Sequence, residues 1–240
     1  MSGLRTVEVP ALSAIPGLAH GFEQRAAPRG ETRELGRARV ARALEGRGRL
    51  LTMKQVHGAT VLEAPWGGTL EGDAALATRP GVLLGIETAD CLPVFVVDPR
   101  LQMVAAVHAG WRGTAARVVR RAVEALIARG SDADFLVVAV GPGIGPCCYE
   151  VGGEVRAAFG EGGAGFFGPG PHGRPHLDLR AANVRQLLDA GVPPQRIHHV
   201  ADCTRCRRDL YHSYRREGPG GGRMLSFVGY ALPPTPRAPE

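Results

Sequence analysis

Two residues near the middle of the chain carry the chemistry to be explained. They are Cys91 and His108, in the stretch IETADCLPVFVVDPRLQMVAAVHAGWRGT from Ile86 to Thr114. Leu92–Asp98 and Met103–His108 are apolar runs rich in strand-forming residues. Asp98-Pro99-Arg100-Leu101 between them suits a type I turn with proline at its second position. A hairpin in which Asp98 faces Leu101 places Cys91 directly opposite His108. Side chains paired in this way share a sheet face with Cβ atoms roughly 5 Å apart, within reach of one metal ion. His57 is the best third ligand, because it interrupts the strand-like run Leu50–Leu62 and is followed by Gly58. One thiolate and two imidazoles suit zinc and leave a position for water or substrate, while copper tolerates the same set. The same residues support a metal-free alternative, a Cys91 nucleophile with His108 as base and Asp73 or Asp90 orienting the histidine.

Around this centre the candidates are contacts for an anion or a substrate. Arg112, in Gly110-Trp111-Arg112-Gly113 ahead of a helix, is the candidate phosphate ligand. Gln55, Tyr149 and Arg216 are further candidates for substrate contacts, with Arg215 and Arg223 beside Arg216 in a second basic patch. The glycine-rich segment Gly141–Cys148 matches no phosphate-binding fingerprint. Cys203 and Cys206 form a lone CxxC, and their spacing from Cys147 and Cys148 is unlike a zinc ribbon, which argues against a structural zinc there. Five cysteines, an odd number, do not suggest a disulfide framework.

The elements that must position these residues are read from periodicity and punctuation. Short strands are predicted over 4–9 and 18–22, then a polar loop within 26–36. A helix over 32–45 follows, with Leu35, Val40 and Leu44 inward. Two strand pieces flank His57 within 50–62, and another strand covers 82–87. After the hairpin, Thr114 caps a helix with the stripe Val118, Val119, Ala122, Val123, Leu126 and Ile127, ended by Gly130. A strand over 135–140, a helix from Cys147 to Phe159 and a loop over 160–175 come next. Asp178 caps a helix with Leu179, Ala182, Leu187 and Leu188 inward. A strand over 197–200, a helix over 204–216 and a strand over 224–230 complete the chain. Intermixed strands and helices around a central hairpin predict an α/β (α+β) fold, a mixed-sheet sandwich with helices packed on it, rather than a doubly wound parallel sheet. One domain is expected over 1–232, with a disordered tail over 233–240.

Composition narrows the function classes. With 44% hydrophobic and 22% charged residues in 240, the chain has globular composition. No apolar run approaches the ~18 residues of a membrane span, and the N-terminus lacks a continuous apolar signal core. A cytoplasmic location is expected. The net charge of +6 is carried by arginine, Lys54 being the only lysine. Those arginines are scattered with little aromatic interleaving, which argues against nucleic acid as a partner. Positive potential would still favour an anionic substrate such as phosphate.

The motifs KQVHG (54–58), TADCLPV (88–94), VHAGWRGT (107–114), GPGIGPCCYEVGGEV (141–155), HLDL…N (176–183) and CT…SYRR…GR (203–223) resemble the YfiH/laccase-domain family (multi-copper polyphenol oxidoreductase, DUF152). Bacterial members are described as multi-copper polyphenol oxidoreductases, as peptidoglycan editing factors and as purine nucleoside phosphorylases. The resemblance covers about residues 18–230. It implies one YfiH-like α/β domain, also likened to bacterial toxin-like cysteine hydrolases, and a zinc site formed by His57, Cys91 and His108. It further implies phosphorolysis of adenosine, inosine, guanosine or methylthioadenosine, with adenosine deamination beside it, in a monomer or homodimer whose partners are nucleoside and phosphate. Peptidoglycan-precursor hydrolysis through Cys91 and laccase-like copper oxidation are the alternatives. Eight histidines and five cysteines in all are few for a type 1 copper plus a copper cluster. The chain departs from the family after HGF, where Glu23-Gln24-Arg25-Ala26 replaces the usual Thr-Arg-Gly-Gly.

Overall fold

The computed structural model describes residues 4–25 and 31–232. In chain order the strands are β1 (Thr6–Val7), β2 (Leu18–Glu23), β3 (Arg49–Thr52), β4 (Val61–Glu63), β5 (Ala74–Ala77), β6 (Val82–Thr88), β7 (Leu92–Asp98), β8 (Met103–Ala109), β9 (Val137–Val140), β10 (Phe167–Pro169), β11 (Pro175–Leu177), β12 (Ile197–His199) and β13 (Met224–Tyr230). The helices are α1 (Pro10–Ser13), α2 (Arg33–Ala43), α3 (Trp111–Ala115), α4 (Val118–Ile127), α5 (Gly153–Phe159), α6 (Leu179–Asp189) and α7 (Tyr214–Glu217).

Two mixed sheets stack face to face. One has the order β12-β9-β7-β8-β5-β4 and the other β1-β2-β13-β6-β3, while β10 and β11 form a separate hairpin. Phe95, Val97, Val104 and Ala106 of the first sheet meet Phe22, Leu84, Ile86 and Val228 of the second, with Phe22 and Phe95 stacked at 4.6 Å. The alternate residues Val94, Val96, Ala105 and Val107 face outward onto α4 and α6 through Val119, Val123, Leu126 and Leu187. On the far side Val40 and Leu44 of α2 cover Leu83, Leu225 and Phe227. A strand between two packed layers must be apolar on both faces. This is why β7, β8 and β13 are buried along their whole length and read as continuous apolar runs. The mixed-sheet sandwich expected from the sequence is the fold observed.

Several local expectations are corrected. Leu35, Ile127 and Leu188 are exposed, because each lies at the solvent margin of a stripe narrower than the periodicity predicts. Thr114 does not cap the long helix. It lies in α3, where its hydroxyl accepts from Asn183 Nδ2 at 2.9 Å, and a left-handed Arg117 starts α4. Residues 147–152 are turn and bridge, and the helix starts at Gly153. The loop over 160–175 contains the β10–β11 hairpin. The helix expected over 204–216 is reduced to α7, since Thr204 and Ser213 direct their hydroxyls at Asp90. The tail over 233–240 and residues 26–30 of the expected polar loop lie outside the described residues.

Candidate metal and catalytic site

The site is built at one end of the central hairpin, and the hairpin register differs from the expected one. Asp98 pairs with Met103, so Pro99–Gln102 form the connection and His108 faces Pro93. The cause is the Asp98 side chain, whose Oδ1 accepts from the backbone N–H of Arg100 at 2.9 Å and Leu101 at 3.2 Å. Such an Asx turn takes Leu101 out of the ladder. Cys91 is therefore diagonal to His108 rather than opposite it. The slip is two positions, and side chains alternate with period two, so both residues stay on one face.

His57 enters from the connection between β3 and β4, in a left-handed conformation (φ 62) that few non-glycine residues adopt. Asp73 holds it there. One carboxylate oxygen accepts from His57 N at 2.9 Å and the other from Gly58 N at 2.6 Å and Val56 N at 3.2 Å. Asp73 stands just before β5, whose ladder to β8 aligns Ala74 with Val107, and this brings it beside His108. Its Oδ1 lies 2.8 Å from His108 Nδ1, which leaves the other ring nitrogen of His108 for the site.

The ligand atoms of His57, Cys91 and His108 all lie within 4.8 Å of one another, and the two imidazoles meet edge to face at 4.9 Å. Gly110 closes the cradle. A Cβ there would stand 2.9 Å from Cys91 Sγ and 3.1 Å from His57 Cδ2. Burial raises the Cys91 thiol and is outweighed by the charge and hydrogen bond of His108, which bring it down to about 6. Burial lowers His108, and the Cys91 and Asp73 charges override it, pushing it up to about 9. Burial likewise raises the Asp73 carboxyl, yet the His108 and backbone bonds hold it below its ordinary value. A thiol of lowered pKa and two histidine side chains, one of them oriented by a carboxylate, fit the donor set of a catalytic zinc site, where metal binding would displace the second His108 proton.

Asp90 is a second fixed point that sequence reasoning weighed only as a partner for His108. In a left-handed conformation (φ 91), it accepts from Thr204 Oγ1 at 2.6 Å, Ser213 Oγ at 3.1 Å and Arg215 N at 2.7 Å. It thus ties the 203–216 segment to the residue before Cys91. Arg215 reaches over the Tyr149 ring and donates to the Glu150 carbonyl at 2.7 Å. Burial and the charge of Cys91 push the Tyr149 phenol up, so Tyr149 borders the site. Arg112 is exposed and stacked on Trp111 at 4.3 Å.

Gln55 and Arg216 both carry structural hydrogen bonds, and Arg216 also lines a cavity. Both ends of the Gln55 amide bond the backbone of Glu87, at 2.7 and 2.8 Å. The Arg216 guanidinium is committed to the carbonyls of Thr204, Arg205 and Tyr211 and to Glu217. A cavity of about 780 Å³ adjoins this region, walled by arginines including Arg33, Arg37 and Arg223 and by Glu87 and Glu217. None of the three ligand residues lines it.

Residues 30–231 match the family described as multi-copper polyphenol oxidoreductase laccase. The chain belongs to that family. Within and around the laccase-like family its relatives carry other names. A purine nucleoside phosphorylase of Deinococcus radiodurans is 40% identical over 195 residues, which are 80% of this chain and 75% of that protein. Adenosine deaminase RL5, from an unknown prokaryotic organism, is 41% identical over 165 residues, 66% of this chain and 63% of that protein. The crystal structure of YlmD from Geobacillus stearothermophilus superposes with a TM-score of 0.84, covering 96% of this chain and 97% of that one at 29% identity. No helix among the described residues is long and apolar enough to cross a membrane.

Proposed function

We propose that the chain is a zinc-dependent purine nucleoside phosphorylase with adenosine deaminase side activity. The observation that carries this reading is the convergence of His57, Cys91 and His108 with Asp73 behind His108, taken with the names of the relatives. Zinc held by these three residues would supply Lewis acidity and an acidified water, the chemistry needed for displacing the amine at purine C6. The chain's own residues bind and orient. Asp73 fixes the tautomer of His108 by accepting a hydrogen bond from its Nδ1–H. Tyr149, largely desolvated, offers a ring to stack on a purine, and Arg215 braces it. Arg112 is exposed beside Trp111, and Arg216 and Arg223 both border the adjoining cavity, so these three arginines are the candidate phosphate contacts. Among the described residues the His/Cys clusters are this one and a group of four cysteines, neither of which offers the imidazole-rich set of a laccase copper cluster.

The test measures metal content together with phosphate-dependent release of hypoxanthine from inosine and adenine from adenosine. His108→Ala should lose both metal and turnover. Full turnover by metal-free His108→Ala protein, or several coppers with no purine release from the wild type, would sink the reading. A second reading is favoured by the Cys91–His108–Asp73 relay, which has the form of a nucleophile, a base and its orienting acid. It makes the chain a peptidoglycan-precursor hydrolase. Activity on such precursors that survives removal of zinc, and ends on alkylation of Cys91, would favour it.

A further inference from the structure

Cys147, Cys148, Cys203 and Cys206 lie far apart in sequence, and the spacing argued against a zinc ribbon. The fold nevertheless brings their four sulfurs within 4.8 Å of one another. Cys148 Sγ is 3.4 Å from Cys206 Sγ, and Cys147 Sγ is 3.8 Å from it. A tetrahedral zinc with Zn–S bonds of ~2.3 Å sets sulfur–sulfur edges of about 3.8 Å, whereas a disulfide needs ~2.05 Å. The separations are those of four ligands round one ion.

The backbone is built for the quartet as well. Gly143 and Cys203 form an isolated parallel bridge, and Thr204 N donates to the Gly143 carbonyl at 3.1 Å, which fixes the two segments side by side. Gly145 N donates to Cys203 Sγ at 3.3 Å, and a Cβ at Gly145 would stand 3.3 Å from Cys147 Sγ and 3.4 Å from Cys203 Cβ. Cys148 N bonds back to the Gly145 carbonyl at 2.9 Å, turning both neighbouring cysteines toward the CxxC. N–H···S bonds support thiolate ligands, and the Arg205 cation lies close enough to Cys148 for their charges to interact, beside a group that would carry net negative charge. Cys147 and Cys206 are exposed, so an ion has a way in.

We propose that these four cysteines form a second, structural zinc site, separate from the His57–Cys91–His108 centre. Four thiolates close the coordination shell and leave no position for substrate, and soft sulfur selects zinc over magnesium or calcium. The site clamps the 141–149 loop to the 203–216 segment. Cys148 precedes Tyr149, and Thr204 between the CxxC cysteines holds Asp90, so the clamp shapes one wall of the active site without touching its ligands. The inference does not depend on the proposed reaction.

The test counts zinc by mass spectrometry in protein purified under reducing conditions without added metal. The wild type should hold about two ions per chain, and His57→Ala/His108→Ala and Cys203→Ser/Cys206→Ser should each hold about one. Metal-free His57→Ala/His108→Ala protein titrated with cobalt should develop the visible and thiolate charge-transfer bands of a tetrahedral all-sulfur site. The wild type gives a readout needing no variant. In zinc-loaded protein the peptides carrying the four cysteines should resist iodoacetamide and become reactive when a chelator is added. An intact-mass deficit of a disulfide among them, a zinc-free histidine variant with no cobalt spectrum, or unprotected thiols in zinc-loaded wild type would each overturn the proposal.

Discussion

Replacing Asp73 by asparagine tests the support of the candidate site more sharply than removing a ligand does. The carboxylate is fully buried and its two oxygens accept from His57 N, His108 Nδ1, Gly58 N and Val56 N. An amide keeps the size but has one acceptor oxygen, so whichever way it turns, two donors face its NH₂ group. Charge-assisted bonds contribute about 1.5–3 kcal/mol each, and an unpaired buried donor adds its desolvation cost. The expected loss of stability is about 3–5 kcal/mol, less than a simple sum because the donors relax together. Zinc affinity should fall about 10- to 100-fold, the usual cost of removing the carboxylate behind a ligating histidine. That corresponds to ~1.4–2.7 kcal/mol. Competition with a chromophoric chelator measures the affinity, and urea unfolding of zinc-free and zinc-loaded protein separates the two effects. Wild-type zinc affinity in Asp73→Asn at an unchanged urea midpoint would refute the role assigned to this carboxylate.

Four further expectations follow from the same geometry. In zinc-free protein, alkylation of the Cys91 peptide should be half-maximal near pH 6, since the thiol is brought down to about 6 from 9.0. A half-point near 9 would remove the thiolate–imidazolium pair. By linkage the pair leaves zinc-free stability nearly independent of pH across the neutral range. The contribution of the lowered Cys91 grows as pH rises from about 6 to 9.0, while that of the raised His108 is lost as pH rises from 6.5 to about 9. The urea midpoint should therefore change little between those values, and a steep slope there would contradict the pairing. Gly110→Ala puts a Cβ 2.9 Å from Cys91 Sγ and should cost at least about tenfold in zinc affinity with circular dichroism unchanged. Undiminished affinity would show that the cradle is not tight. Asp90→Ala removes three accepted hydrogen bonds and should lower stability by about 3 kcal/mol or more. A loss under ~1 kcal/mol in urea unfolding would show that Asp90 is not the pin of the 203–216 segment.

How much of this was legible in the chain depended on whether the signal was periodic. The ends of β13 were predicted to the residue, because a strand between two layers is uniformly apolar and bounded by polar or turn-forming neighbours. Asp178 accepts from Ala181 N at 2.9 Å as the cap it resembles. The helix expected over 204–216 failed where local pattern met a tertiary demand. Thr204 and Ser213 bond Asp90, and Arg216 bonds three carbonyls, none of which a spacing rule can see.

The contrast between the two sulfur-bearing sites shows where such reasoning ends. The hairpin register was predicted two positions out, yet Cys91 and His108 still met, because alternation along a strand makes any even slip preserve the face. An odd slip would have sent Cys91 to the opposite side and dissolved the site on paper. The quartet of Cys147, Cys148, Cys203 and Cys206 has no such protection. Its halves sit on non-repetitive segments joined by the Gly143–Cys203 bridge and the Gly145 N–H, and loop geometry has no period to extrapolate. A ribbon rule asks for two short spacings on adjacent turns. Here one pair is adjacent in sequence and its partner pair arrives through Asp90, the residue that also anchors the wall beside Cys91. The two centres are therefore coupled through one carboxylate. Loosening the Asp90 clasp should weaken zinc retention by the quartet as well as the placement of Tyr149, and zinc counting on His57→Ala/His108→Ala/Asp90→Ala protein decides it. Retention equal to that of the two-histidine variant would show the clasp and the quartet to be independent.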